Sequence, residues 1–265
     1  MPYAENRLDG TRIYFEDDGG DGPSVVFSGG FLDSTVDVRE SELASAIPVA
    51  EFRHVYVDHR GLGRSGKPHD PAAYAMHLRV ADTMAVLDAL DIERAHFVGK
   101  SWGARLCFGI AQHAPERVLS IVAGGQQPYE WPDSPLTRVV TEALAACRPN
   151  DVEALVEAFE AFWQVSFPAT TRARWVDNDA QALRAAVTTV LSEGPVGTNL
   201  ESWAVPCLIF MGAADVDFLE QARRAAAEIP GAEFLSLDEA DHYAAHMSAD
   251  DVLVDAVLRM LRAQS

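Results

Sequence analysis

The sequence has little cysteine and far fewer basic than acidic residues. Its 265 residues include only 3 cysteines, Cys107, Cys147 and Cys207, too few and too far apart for a disulfide framework or a paired-cysteine metal site. The 21 lysines and arginines against 40 aspartates and glutamates give a net charge of −19. Such a surface repels phosphate backbones and anionic lipid headgroups, so we expect no nucleic-acid and no membrane partner.

Long hydrophobic runs are also missing. No apolar stretch approaches the roughly 20 residues that a membrane span requires. The first residues lack the basic and apolar regions of a secretory signal. These absences, together with the scarce cysteine, predict a cytoplasmic protein. With 48% hydrophobic and 23% charged residues, the composition is that of an ordinary globular protein.

Short apolar runs alternate with longer amphipathic ones along most of the chain. The amphipathic stretches predict helices, for example over residues 73–90. The first run is predicted as an antiparallel edge strand and the others as buried strands. The alternation predicts an α/β fold with a mostly parallel central sheet and helices on both faces. The predicted strands are Arg12–Asp17, 24–27, 54–57, 95–98, 119–122, 208–211 and Glu233–Leu237.

The alternation breaks between residues 126 and 203, where apolar residues recur at helical spacing. We predict that residues 126–203 form a helical cap on a core built from residues 1–125 and 204–265. Open α/β sheets bind ligands at the carboxyl edge of their strands, which this cap would cover. Aromatic side chains of the cap are therefore candidates for a substrate pocket, or alternatively they form the cap's own small core. The candidates are Trp131, Phe159, Phe162 and Trp163.

The motif that carries the chemistry is Gly99-Lys100-Ser101-Trp102-Gly103, between a predicted strand and a predicted helix. A G-x-S-x-G string in this setting makes a tight turn that strains the serine backbone and exposes its oxygen. Glycines flank the serine because side chains there would collide with the strand and the helix. The helix N-terminus then points the backbone N–H of Trp102 at the place where an oxyanion forms.

A serine nucleophile needs a base, and the base needs an acid that orients it. His242 follows the last predicted strand and is the favoured base, with His246 one helical turn later as the alternative. Asp215 stands at the carboxyl end of the strand predicted over 208–211 and is the favoured acid. Asp217, two residues further on, stays open as an acid.

Two motifs that could suggest a cofactor or a metal ion are interrupted. The G-x-G-x-x-G string over residues 61–66 is followed by two prolines, which favour a loop where a dinucleotide motif needs a helix. The two histidines near the C-terminus have the spacing of a zinc helix but lack the adjacent glutamate. We expect no metal ion and no organic cofactor.

In the order of these motifs the sequence resembles the α/β-hydrolase superfamily, over nearly the whole chain. The resemblance implies a triad of Ser101, Asp215 and His242, with the backbone N–H of Phe31 as the second oxyanion donor. Many members carry His-Gly before that donor, whereas this chain has Gly29-Gly30, which changes the side-chain support beneath it. The matching segments besides the serine turn are Ser28-Gly29-Gly30-Phe31, residues 58–65, Gly212-x-x-Asp215 and Asp241-His242.

These features predict a serine hydrolase that cleaves a carboxylic ester of a small, apolar substrate through an acyl-enzyme. The similar haloalkane dehalogenase and epoxide hydrolase branches use an aspartate where this chain has Ser101. Hydrolysis of a lactone, an amide or a carbon–carbon bond stays open within the serine branch. A different class also stays open, because some superfamily members are receptors that bind a small molecule in the cap pocket. The oligomeric state is left undefined.

Overall fold

The computed structural model describes residues 2–264, apart from the side chain of His246. Its strands are β1 Tyr3–Glu5, β2 Arg12–Asp17, β3 Ser24–Ser28, β4 Arg53–Val57, β5 Ala95–Lys100, β6 Val118–Gly124, β7 Cys207–Gly212 and β8 Glu233–Leu237. They form one sheet in the order β1-β2-β4-β3-β5-β6-β7-β8. The pairs β1–β2 and β2–β4 are antiparallel, and every other neighbouring pair is parallel.

Eleven α-helices connect or flank these strands in the described part of the chain. They are α1 Thr35–Arg39, α2 Glu42–Ala46, α3 Met76–Ala89, α4 Trp102–His113, α5 Pro135–Ala146, α6 Glu153–Trp163, α7 Ala169–Val176, α8 Ala180–Ser192, α9 Leu219–Glu228, α10 His242–Met247 and α11 Asp251–Ala263. Short 3-10 helices cover Pro71–Tyr74, Pro115–Arg117 and Leu200–Ser202. None of the helices described is long and apolar enough to cross a membrane.

Alternate residues of the central strands enter two separate hydrophobic cores. On β5, for example, Phe97 packs into the core that holds α3, α4 and α9. Its neighbour Val98 packs into the core that holds α2 and α11. Because successive side chains of a strand point to opposite faces, the two cores lie on opposite faces of the sheet. The predicted α/β fold, with helices on both faces of a mostly parallel sheet, is confirmed.

The structure extends one prediction and corrects another at the sheet margins. β5 continues past its last apolar residue, because Gly99 and Lys100 still pair with β6. The first predicted strand, β2, is antiparallel as expected, but it is not an edge strand. The three residues of β1 cover it, with Tyr3 opposite Tyr14. A strand of three residues is too short to show the alternation from which strands are recognised.

The segment between β6 and β7 carries four α-helices, α5 to α8, in the part of the chain that is described, and the 3-10 helix Leu200–Ser202. Helix α8 begins where the side chain of Asp179 accepts hydrogen bonds from the backbone N–H groups of Gln181 and Ala182. Its buried residues enter two hydrophobic clusters: Leu183 packs into the large core that also holds α3 and α4, and Val190 packs into a smaller cluster with Trp102. The division of the chain into a core domain and a cap domain stays a prediction.

Candidate active site

Ser101 stands between the end of β5 and the first residue of α4. Its backbone has φ 51° and ψ −112°, a strained conformation for a residue with a side chain. The N–H of Ser101 donates to the carbonyl oxygen of Gly124 at 2.7 Å, which ties the turn to β6. Serine is a preferred N-cap residue, yet this hydroxyl makes no capping hydrogen bond to α4. The hydroxyl is therefore left for a partner outside the helix.

The turn is tight because α4 starts directly against β3. A Cβ atom placed on Gly103 would lie 2.2 Å from the carbonyl oxygen of Ser28. Real Cβ atoms do not approach an oxygen so closely, and a backbone atom in a parallel strand has little freedom to move aside. The structure thus gives the physical reason for the second glycine of the motif.

The side chains of Ser101, His242 and Asp215 are brought together at the carboxyl edge of the sheet. The Nε2 atom of His242 lies 3.0 Å from the Oγ of Ser101. The Nδ1 atom of the same ring lies 2.7 Å from the Oδ2 of Asp215. The side chains of His242 and Asp215 are 9% and 1% exposed, so water has little access to their contact.

Loops after two neighbouring strands position the base and the acid. His242 begins α10, where the preceding Asp241 accepts a hydrogen bond from the N–H of Ala244. Asp215 follows β7, and its own N–H donates to the carbonyl oxygen of Gly212. Burial, followed by the nearby charge of Asp215, raises the pKa of Asp217. The side chain of His246 lies outside the described residues, so that alternative base stays a prediction.

The hydrogen bonds define which ring nitrogen of His242 carries the proton. A carboxylate only accepts, so Nδ1–H donates to Asp215. The lone pair of Nε2 then faces Ser101, whose Oγ–H donates to it. This arrangement can remove a proton from the serine hydroxyl while the buried carboxylate stabilises the imidazolium that forms.

The loop after β3 holds Phe31, one of the two expected oxyanion donors. A Cβ on Gly29 would lie 2.6 Å from both the Cβ of Asp33 and the Cγ2 of Val38, so no histidine fits at this position. Support comes from elsewhere: Nε2–H of His59 donates to the carbonyl oxygen of Gly29 at 3.3 Å. Burial lowers the pKa of His59 to about 4, which keeps this ring neutral at ordinary pH.

The carboxylate of Asp33 provides a second support for the same loop. Its Oδ2 accepts a hydrogen bond from the N–H of Gly30 at 2.7 Å. Phe31 and Trp102 both line the cleft around Ser101, and their rings lie 5.2 Å apart between centroids. As the first residue of α4, Trp102 has one of the backbone N–H groups that a helix leaves without an intrahelical partner. The role of both amides as oxyanion donors stays a prediction.

A cleft opens onto Ser101 and His242. Three of the four predicted pocket aromatics, Trp131, Phe159 and Trp163, line it. Phe159 is also buried in the hydrophobic core, so this side chain both lines the cleft and packs in the core. Further lining residues that the sequence did not single out are Leu136, Val140, Trp175, Val187, Val190, Leu191 and Tyr243.

Phe162 is not among the residues that line this cleft, which corrects its assignment. Phe159 and Trp163 are four positions apart on α6 and share a face, whereas Phe162 is rotated by about 100° from Trp163. Its ring instead meets the edge of the Trp163 ring, with centroids 5.9 Å apart. Tyr243 could have been found from its place next to His242. The lining residues of α8 depend on how that helix packs.

The fold and the three aligned side chains agree with a known family of proteins. The sequence model described as alpha/beta hydrolase fold matches residues 23–170, and the chain belongs to this family. A haloalkane dehalogenase of Mesorhizobium japonicum is 35% identical over 196 residues, which cover 71% of this chain and 60% of that protein. An epoxide hydrolase of Caballeronia sordidicola is 36% identical over 102 residues, or 38% of this chain and 30% of that protein.

The chain therefore spans less than two thirds of both relatives. Among solved structures, an esterase from Rhodococcus superposes with a TM-score of 0.80 and 20% sequence identity, over the whole of both chains. Identity at that level shows the shared fold alone. The protein therefore has the alpha/beta hydrolase fold, and its activity has to be argued from the residues of its own site.

Proposed function

We propose that this protein is a serine hydrolase that cleaves a carboxylic ester of a small, apolar substrate through an acyl-enzyme on Ser101. The observation that carries the proposal is the hydrogen-bonded line from Ser101 through His242 to Asp215. A hydroxyl at 3.0 Å from an imidazole nitrogen is poised to lose its proton as it attacks.

The identity of the nucleophile separates this chain from dehalogenase and epoxide hydrolase chemistry. If Ser101 displaced a halide or opened an epoxide, the product would be an alkyl ether of the serine. Such an ether has no carbonyl group for water to attack, so the enzyme would not turn over. Attack of Ser101 on an ester instead gives an acyl ester of the serine, which water can hydrolyse.

The proposed reaction has two halves. His242 takes the Ser101 proton as Oγ adds to the substrate carbonyl, then gives it to the departing alkoxide oxygen. Water next attacks the acyl-enzyme, and His242 removes its proton and then gives it to the Oγ of Ser101 as the carboxylic acid departs. The backbone amides of Phe31 and Trp102 would hold the oxyanion in both halves, and losing one such donor typically costs roughly 3 kcal/mol.

The walls of the cleft favour an uncharged, aromatic or branched acyl group. Its lining is dominated by aromatic and aliphatic side chains, among them Trp131, Phe159 and Val190. The chain also carries a net charge of −19, so an anionic substrate would meet repulsion on approach.

The proposal is tested with p-nitrophenyl esters of graded acyl length and with matching lactones, on wild type and Ser101→Ala. We expect sustained ester turnover and labelling of the serine by a fluorophosphonate in the wild type, and neither in the variant. The exposed Ser202 provides the control, since Ser202→Ala removes a hydroxyl far along the chain from the turn. Binding without turnover in the wild type would identify a receptor and overturn the proposal.

A further inference from the structure

Arg105 contacts both of the chain connections that lead into and out of the four-helix segment. It is the fourth residue of α4, and its side chain is among the largest that are fully buried. Its Nη1 donates to the carbonyl oxygen of Tyr129 at 2.8 Å. Its Nη2 donates to the carbonyl oxygen of Gly194 at 3.4 Å. Tyr129 follows β6, whereas Gly194 follows α8, so the two acceptors lie at opposite ends of the segment in sequence.

The two connections also pair with each other, and we call them together the neck, residues 126–129 and 193–197. The N–H groups of Val196 and Gly197 both donate to the carbonyl oxygen of Pro128, at 2.7 and 3.1 Å. The neck is tied to α3 as well, since Oε1 of Glu193 accepts the N–H of Met76 at 2.7 Å. Arg105 thus adds a link from the neck to the helix that begins beside Ser101.

Placing a cation at this position is unfavourable by itself. The first turn of a helix is the positive end of its dipole, and burial removes the guanidinium from water. The Nε of Arg105 has no hydrogen-bond partner among the described residues. Burial lowers the pKa of Arg105 to about 10, opposed by the charge of Glu193, so the group stays protonated at neutral pH. The two carbonyl contacts offset part of this cost.

The same guanidinium reaches the wall of the cleft. Its Cζ lies 5.5 Å from the centroid of the Trp131 ring. Trp131 lines the cleft, and its Nε1 donates at 2.8 Å to the Oγ1 of Thr137, another lining residue in the first turn of α5. A continuous path of contacts therefore runs from the helix of the nucleophile, through Arg105, to the neck and to one wall of the cleft.

We propose that Arg105 is a specificity-determining residue, which clamps the neck so that the segment from α5 to α8 holds one position above Ser101. The expected effect on the choice of ester rests on the proposed ester hydrolysis. The helices α5, α6 and α8 supply much of the cleft lining. If the neck were loose, these helices would shift and the shape of the space for the acyl group would vary. The contact between Ser101 and His242 involves neither Arg105 nor the neck, so small acyl groups would still react.

The variants are Arg105→Met, which removes the donors, and Arg105→Lys, which keeps the charge and cannot reach both carbonyls in one plane. Arg184→Met is the matched control. Arg184 also bridges two backbone carbonyls, those of Leu144 and Cys147, but both lie within the segment itself. Kinetics are measured with p-nitrophenyl acetate and with long-chain and aromatic esters.

For both Arg105 variants, we expect kcat/KM for the long and aromatic esters to fall about tenfold, the scale of one lost charged hydrogen bond. The loss should come through KM, while kcat for the acetate stays within about twofold, and Arg184→Met should leave the ratio between esters unchanged. If kcat/KM fell equally for the acetate and for the long esters, or fell for neither, the proposal would be overturned.

Amide hydrogen exchange of the free protein gives a second readout that needs no substrate. We expect faster exchange at Val196 and Gly197 in both Arg105 variants, with β5 amides unchanged, and wild-type exchange throughout the neck in Arg184→Met. Unchanged exchange at the neck would contradict the clamp. If the wild type hydrolyses no ester, the proposed function fails, while exchange still decides whether Arg105 holds the neck. If Arg105→Met does not fold, Arg105→Lys carries both measurements.

Discussion

The Oδ2 of Asp215 lies 2.7 Å from the Nδ1 of His242, although 27 positions separate the two residues in the chain. The distance places an acceptor-only group behind the ring nitrogen that does not face Ser101. Asp217 stands two residues further on, and burial raises its pKa. The geometry favours Asp215 as the acid, and this preference is open to a direct comparison.

Replacing Asp215 by asparagine should lower kcat for p-nitrophenyl esters by about 10⁴-fold, because the amide can donate to Nδ1 and so stabilise the wrong tautomer. Asp217→Asn should change kcat by no more than about threefold, since this carboxyl takes no part in the hydrogen-bonded line from Ser101 to Asp215. Steady-state kinetics of the two variants decide the assignment. A large loss in Asp217→Asn beside a silent Asp215→Asn would move the acid to position 217.

Gly103→Ala should destabilise the fold as well as the site. The new methyl group would lie 2.2 Å from the carbonyl oxygen of Ser28, so α4 would have to move away from β3. Overpacking of this kind costs about 2 kcal/mol or more in the free energy of unfolding, which urea titration measures. Gly194→Ala is the control, because no heavy atom lies within 4 Å of its ideal Cβ. Equal stabilities of the two variants would contradict the close approach.

Acid should weaken the fold through buried histidines on either side of β3. His54 and His96 both stand opposite Val25 in the sheet. Burial lowers the pKa of His96 to about 4 and also lowers that of His54. As the pH falls below about 6.5, these two histidines take up protons in the unfolded chain but not yet in the folded chain. Stability is therefore full above about pH 6.5 and falls as the pH drops toward 4.

The histidine at position 96 can be tested alone. In the wild type, proton uptake by His96 in the unfolded state lowers the free energy of unfolding by about 3 kcal/mol between neutral pH and pH 4. His96→Gln removes this contribution. The free energy of unfolding of this variant, measured in urea from pH 7.5 to 4.5, should fall less steeply with acid than that of the wild type. The exposed His77 supplies the matched variant, His77→Gln. A wild-type slope in His96→Gln would show that this ring does not stay neutral in the fold.

Phe162 and Trp163 are adjacent on α6. Trp163 lines the cleft and Phe162 does not. Trp163→Leu should raise KM for aromatic p-nitrophenyl esters about tenfold, the scale of a lost aromatic contact, with a smaller change for the acetate. Phe162→Leu should leave the preference for aromatic esters unchanged. Comparable shifts in the two variants would mean that the preference reflects the packing of α6 and not the cleft wall.

Much of the fold is encoded locally, which is why it could be predicted. The central strands are apolar on both faces because helices cover both, and such short apolar runs are distinctive. The turn at Ser101 follows from short-range sterics between a strand end and a helix start. Where local signals were weak, prediction failed, as with the three residues of β1 and the extra pairing of Lys100 on β5.

The site divides in the same way. Residue types and their order along the chain were enough to select Ser101, Asp215 and His242, because each follows a strand whose carboxyl end lies at the same edge of the sheet. The order could not show that the atoms meet within 3.0 Å, nor that Phe162 is not among the residues that line the cleft. The sequence also did not indicate that His59 donates a hydrogen bond to the carbonyl oxygen of Gly29, or that Arg105 donates to a backbone carbonyl of the neck. Those relationships join residues from distant parts of the chain, and they arise only when the helices pack on the sheet.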